Sequence, residues 1–315
     1  MKTLIVWVWA FWFAVLNHLS KNHKNTTFYA VEKDENTIKY LKEKRQSPYF
    51  FPEVTLWKNI EFFSSQEIDY KDFNLIIIAI PAQFVGDFLL WIKDNLKSWV
   101  TFLNLAKWID NKNLCTIWDI FKNVLWEFSY NYAVLSGWMI ALDLVLEKKL
   151  WATIACKNNL ISKKLKKLFA WKTLEISLSK SVKNVEISGA IKNVISLYIW
   201  YLEKTWNDFS SIWYYLTEIL KETKYLFLAL NWEKNIKFID FAFLWDIIAT
   251  CFWNSRNRYF WNLVWTWKTS VEAYETLKTE KKHAEWFETL KWLKEIILRD
   301  KRLKEYKNIL KIFLD

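Results

Sequence analysis

Along the first half of the chain, short apolar runs rich in β-branched residues alternate with longer segments of mixed character. Residues 3–6 form such a run, residues 10–20 carry apolar side chains at helical intervals, and residues 27–31 are again strand-like. The chain therefore opens on a predicted β-α-β unit. Further apolar runs at 75–80, 100–105, 132–135 and 153–155 alternate with helical or loop segments, the pattern of a doubly wound sheet. From Lys183 onward the period is nearly all helical. The clearest segments are 190–200, 209–230, 271–277 and 285–298, with a final helix near the C-terminus. No Pro/Gly/Ser-rich linker separates the halves, so the change of period alone sets the boundary: an α/β domain over residues 1–178 and an all-α domain over 179–315.

Composition changes this picture at one point. The 315 residues include 23 Trp and only 3 Gly, whereas glycine makes up roughly 7% of an ordinary chain and Trp very little. Added together, the two types have about the abundance expected of glycine alone. Many of the Trp residues also stand where a chain needs a turn, as at Trp99, Trp108, Trp206 and Trp232. Those are contexts that suit glycine, which tolerates positive φ cheaply. The expectation is that the gene uses UGA for glycine and that Trp in this sequence largely stands for it. The alternative is a literally Trp-rich protein, using indoles as a membrane-interface belt or a stacking platform.

The formal charge is +11, but Lys is spread along the chain among Asp, Glu, Asn and Ile, without an Arg-rich block or basic stripe. This argues against nucleic acid as a partner and for a solvated surface that favours anionic small molecules. Cys115, Cys156 and Cys251 are odd in number and far apart. Neither a disulfide framework nor a zinc site is indicated, no metal is expected, and a reducing cytoplasm fits. The opening apolar stretch after Lys2 is too short to span a bilayer comfortably and lacks a small-residue cleavage pattern, so no integral membrane segment is expected.

After the first strand comes Trp7-Val8-Trp9-Ala10-Phe11-Trp12, which becomes G-V-G-A-F-G when Trp is read as Gly. Placed between strand and helix, this is the dinucleotide fingerprint of a Rossmann-type fold. Glycines there give the tight turn, the backbone approach to pyrophosphate and the helix-strand contact. Three literal indoles are expected to abolish dinucleotide binding. Glu32 and Lys33 at the end of the second strand offer both signs: a carboxylate accepts from the ribose hydroxyl of NAD, and a Lys pairs with the 2′-phosphate of NADP. The cofactor is therefore NAD or NADP. Asn104-Leu105-Ala106-Lys107 and Ser136-Gly137-Trp138-Met139-Ile140-Ala141 each follow a strand, at the carboxyl edge where ligands bind.

Two more segments carry a family resemblance. Glu186-Ile187-Ser188-Gly189-Ala190-Ile191-Lys192-Asn193-Val194 resembles G-A-x-K-N-V-x-A. Leu244-Trp245-Asp246-Ile247-Ile248-Ala249-Thr250-Cys251, running on to Ser255-Arg256-Asn257-Arg258-Tyr259-Phe260-Trp261, resembles L-G-D-x-x-x-T-C…S-R-N-R-x-F-G. Both are signatures of bacterial NAD(P)-dependent glycerol-3-phosphate dehydrogenases, and the likeness extends over nearly the whole chain. The resemblance implies a Rossmann-type doubly wound sheet followed by an α-helical C-terminal domain. It implies hydride transfer between NAD or NADP and C2 of glycerol 3-phosphate, giving dihydroxyacetone phosphate, in the supply of phospholipid synthesis. Lys192 is carried over as proton acceptor in the oxidation direction. Lys107, Gly137, Asp246, Ser255, Arg256 and Asn257 are carried over as substrate-binding. Trp7, Trp9, Ala10, Phe11, Trp12, Lys33, Lys107, Ala141, Arg256 and Glu285 are carried over as cofactor-binding, and a homodimer follows by the same analogy. A desolvated lysine suits proton transfer, and Arg suits bidentate phosphate binding.

The sequence departs from the family at Met139, where Ser or Thr is usual, at Trp138, and over residues 207–213, where an Asn-Ala-Lys element is not recognisable. A related dehydrogenase of another anionic hydroxy acid, and a non-catalytic binding protein with literal Trp residues, are the alternatives.

Overall fold

The computed structural model describes residues 1–6, 10–107, 109–110, 115–205, 208–229, 241–252, 259, 262–263, 266, 270–279 and 286–299. The chain opens with β1 (Thr3–Val6), α1 (Ala10–Asn22), β2 (Phe28–Glu32), α2 (Glu35–Lys44) and β3 (Ile60–Ser64). There follow β4 (Leu75–Ile78), α3 (Val85–Ile92) and β5 (Val100–Asn104), then a short antiparallel pair, β6 (Ile109–Asp110) with β7 (Cys115–Thr116). Next come α4 (Ile117–Val124), β8 (Tyr130–Trp138), α5 (Ala141–Val145), β9 (Leu150–Cys156), α6 (Asn159–Phe169) and β10 (Leu174–Ser179). Local chemistry starts these helices. Asp34 accepts from the Thr37 N–H, Thr116 and Asp119 form a reciprocal capping box, and Asn158 accepts from two first-turn N–H groups.

The strands join into one sheet in the order β10-β9-β8-β5-β4-β1-β2-β3. Its heart is the doubly wound order with a switch point between β1 and β4. Alternate residues serve the two faces. Ile5, Leu75 and Ile77 enter one apolar core, while Leu4, Val6, Ile76 and Ile78 enter the other. Burial on both faces is why these strands read as continuous apolar runs.

Three features go beyond the expected pattern. Strands β3 and β10, unpredicted, are the two edges of the sheet. Strand β9 pairs antiparallel with β8, so the sheet is mixed; the short connection through α5 is below the dozen or so residues a parallel crossover needs. Several elements also run longer than their apolar runs, as β8 does at both ends, whereas β4 and β5 stop short of theirs.

Beyond β10 the described elements are helical: α7 (Val182–Thr205), α8 (Phe209–Ala229), α9 (Leu244–Phe252), α10 (Ser270–Thr279) and α11 (Trp286–Arg299). The expected final helix lies outside the described residues. Helix α7 is about 36 Å long at 1.5 Å per residue, and most of its residues are buried. It shares an apolar core with α8, α9 and α11, including Ile191, Ile195, Ile219, Ile247 and Trp292.

Near its end β8 carries Gly137 at φ 145°, opposite Ala152 of β9. A Cβ at 137 would lie 2.6 Å from the Ala152 Cα and 2.8 Å from the Trp151 carbonyl oxygen. Backbone opposes it on both counts, so no side-chain rotation relieves the clash. Gly137→Ala is expected to lower stability by about 2–3 kcal/mol, read by denaturant unfolding. A change below a few tenths would show that the close β8-β9 approach is not required.

Candidate active site

Four of the singled-out residues come together at the carboxyl edge of the sheet. Lys107 follows β5 and sends its ammonium to the Gly137 carbonyl at 2.8 Å. Gly137 also takes the Met139 N–H, so its carbonyl closes the end of β8 and anchors a lysine at once. Opposite stands α7. It climbs in the direction of β8, with Glu186 bonded to Tyr132 and Gly189 against Ser136. A Cβ at Gly189 would lie 2.8 Å from Ser136 Oγ and 3.6 Å from Lys107 Cβ. Glycine thus lets the helix press onto the loop that carries Lys107.

One turn beyond Gly189 comes Lys192, whose Nζ lies 2.6 Å from Asp246 Oδ1 of α9. The two residues are 6% and 0% exposed, so each charge depends on the other for solvation. Lys107 and Lys192 face one another. Burial lowers the Lys107 ammonium to about 7, the positive charge of Lys192 adds to the effect, and Asp246 opposes it. Two lysines around one carboxylate leave a surplus of positive charge.

Two buried polar atoms of this cluster, Ser136 Oγ and Asp246 Oδ2, have no hydrogen-bond partner among the described residues. Buried polar groups are nearly always paired, so both are suited to a polar ligand. Together with α1 starting beside the β1/β4 switch point, they fit a dinucleotide and a small hydroxylated substrate. Ala10 and Phe11 form the first turn of α1, Ala141 begins α5, and Lys33 is exposed after β2. Trp12 is fully buried in the core beneath the sheet, and its indole N–H has no partner among the described residues. Trp7, Trp9, Ser255, Arg256, Asn257 and Glu285 lie outside the described residues. Among the described residues, no group of three or more His, Cys, Asp or Glu is placed to hold a metal ion.

Sequence reasoning left three neighbours without a role. The Glu186 carboxylate accepts from Tyr132 OH at 2.5 Å, from Asn104 Nδ2 at 2.9 Å and from the Trp118 backbone N–H at 3.1 Å. The only signal was an acidic residue inside an otherwise apolar helical stretch.

The model of the NAD-dependent glycerol-3-phosphate dehydrogenase N-terminus matches residues 9–189, and that of its C-terminus matches residues 181–312. The glycerol-3-phosphate dehydrogenase [NAD(P)+] of Fusobacterium nucleatum is 28% identical over 268 residues, covering 84% of this chain and 78% of that protein. A solved glycerol-3-phosphate dehydrogenase from Plasmodium falciparum superposes with a TM-score of 0.89 at 19% identity, covering 99% of this chain and 90% of the other. Another from Coxiella burnetii gives 0.84 at 15%, covering 99% and 94%. The fold is shared with both solved structures, and because the N-terminal and C-terminal family models between them span residues 9–312, the chain belongs to the NAD-dependent glycerol-3-phosphate dehydrogenase family.

Proposed function

We propose that the protein interconverts glycerol 3-phosphate and dihydroxyacetone phosphate with NAD or NADP, supplying glycerol 3-phosphate for phospholipid synthesis. The observation that carries this reading is the cluster of half-buried Lys107 with the buried pair Lys192-Asp246 at the carboxyl edge of a doubly wound sheet. When bound, the nicotinamide exchanges a hydride with C2 of the substrate. The first turn of α1, Lys33 and Ala141 serve the cofactor, as do Glu285 and Arg256, and Ser255, Arg256 and Asn257 take the substrate phosphate.

Lys192 acts at the C2 oxygen. In oxidation its neutral amine takes the hydroxyl proton and becomes the ammonium, and in reduction that ammonium gives a proton to the forming alkoxide. Asp246 holds that ammonium in place. The positive surplus of the lysine pair stabilises negative charge on the oxygen and draws an anionic substrate inward. Residues 1–178 form the cofactor domain and 179–315 the substrate domain. No helix among the described residues is long and apolar enough to cross a membrane; a cytoplasmic homodimer completes the reading.

We also infer that Trp at most of its positions stands for Gly in the protein its own cells make. Support comes from Trp99, held at φ 62° and 68% exposed in the turn before β5, where an L side chain is strained. The indole N–H groups of Trp12 and Trp151, buried without an acceptor among the described residues, add to it. Peptide mass spectrometry of the chain isolated from its own cells is expected to find Gly at 7, 9, 12 and 99, and Trp there would refute the inference.

Reduction of dihydroxyacetone phosphate by NADH or NADPH, assayed on the recombinant chain carrying the residues so found, tests the activity. Lys192→Ala is expected to lower kcat by about 10²- to 10⁴-fold. Asp246→Asn strands a buried ammonium and is expected to lower stability by about 3–5 kcal/mol as well. No turnover from a folded, cofactor-binding wild type would redirect the assignment to another anionic hydroxy compound.

The pH dependence follows from Lys107. Held at about 7, it is cationic below that pH and neutral above it. Since the cation binds the anionic substrate, kcat/KM for reduction is expected to fall as pH rises through about 7. In Lys107→Arg the guanidinium stays charged, and that fall should vanish. Its persistence would assign the limb to another group.

A further inference from the structure

We propose that Glu186 is a positioning residue, whose carboxylate fixes the loop carrying Lys107 to the helix carrying Lys192 and so sets the relation between the two lysines. This rests on the reading of those lysines as the reacting pair. Glu186 is only 2% exposed, and its bonds go to neither lysine. Its three hydrogen bonds reach three different elements.

The first goes to Asn104 at the end of β5. The Asn104 Oδ1 accepts from the Ala106 N–H at 2.9 Å, and its Nδ2 also approaches the Ala106 carbonyl at 3.3 Å. One side chain therefore shapes the turn immediately before Lys107 and ties that turn to α7. The second bond, from Tyr132 OH, ties α7 to the middle of β8, five residues before Gly137, the carbonyl that receives Lys107. The third comes from the Trp118 N–H in the first turn of α4, which has no partner inside its own helix. All three donors converge on two oxygens, with none left over. Lys192 lies less than two turns further along the same rigid helix.

The partners define what a substitute can do. Glutamine matches the shape of glutamate but offers one acceptor oxygen and one NH₂ group. The Trp118 N–H cannot become an acceptor, and the Asn104 amide is oriented by Ala106. Either orientation of a glutamine amide at this position therefore sets donor against donor. A buried unsatisfied donor moves apart from its neighbour, and with it moves the turn before Lys107.

Tyr132 faces Glu186 from β8 and Asp119 from α4, and Asp119 is itself paired with Lys183 of α7. Burial raises the Glu186 carboxyl to about 7, against the lowering influence of its three donors.

The test uses full-length Glu186→Gln and Tyr132→Phe. The second keeps the ring that packs on Phe121 and Trp118 and removes one donor. Labelling of Lys107 by an amine-reactive reagent at neutral pH, followed by peptide mass spectrometry without cofactor, reports its neutral fraction. A lysine loosened toward water regains its proton and reacts more slowly. Labelling of Lys107 is expected to slow in both variants. Misplacement of the lysines should lower kcat by about 10- to 100-fold in Glu186→Gln, less in Tyr132→Phe, with KM for the nicotinamide cofactor unchanged. Folded variants with wild-type labelling of Lys107 and wild-type kcat would overturn the proposal, and if Glu186→Gln fails to fold, Tyr132→Phe decides by the same criteria. A wild type that turns over no dihydroxyacetone phosphate would end the reading of the reaction, while the labelling would still decide the role of Glu186.

Discussion

A lysine ammonium cannot be buried without a counter-charge, and the architecture around Lys192 follows from that constraint. Asp246 meets it at 2.6 Å, and it can do so only because α7 and α9 pack along one another through a shared apolar core. Stripping water from two ions costs several kcal/mol each, which only close geometry and further polar partners offset. Such a pair contributes little to stability by its presence, yet its disruption is severe.

A second lysine reaches the pair through backbone rather than charge. Lys107 is fastened to the Gly137 carbonyl, and Gly137 can present it only because its φ of 145° and the nearness of Ala152 exclude a side chain. Gly189 performs the same service from the helix, where a Cβ would crowd Ser136. Each lysine is thus placed by a close approach that glycine permits, one between strands and one between helix and loop. Close packing makes such placements unforgiving, since core density leaves no slack to absorb an added methyl group.

Electrostatics then act in one direction. The lysine pair around a single carboxylate holds surplus positive charge in a region of low dielectric, within a protein of formal charge +11. Fields in such a site are stronger than in water. Burial lowers Lys107 to about 7, and the neighbouring Lys192 charge adds to that effect. A few residues away Glu186 is displaced toward about 7 from the other side. Both shifts arise chiefly from burial, the shared consequence of pressing α7 onto the sheet.

The amino-acid sequence by itself determined the class of fold, and it singled out the two lysines as motif members. Buried parallel strands such as Leu75–Ile78 are apolar on both faces, which makes them legible as runs. The edge strands Ile60–Ser64 and Leu174–Ser179 are half-exposed, so their polar positions hid them. The antiparallel sense of β9 was also hidden, because direction is not written in hydrophobic period. At the site, Lys107, Gly137, Lys192 and Asp246 were found as motif members, but their roles depend on distances between residues far apart in the chain. Glu186, Asn104 and Tyr132 were passed over for the same reason: a glutamate in a helix means nothing until three donors from three other elements converge on it. Only tertiary packing brings them together, because hydrogen bonds and ion pairs of this kind depend on proximity in space, which local sequence does not encode.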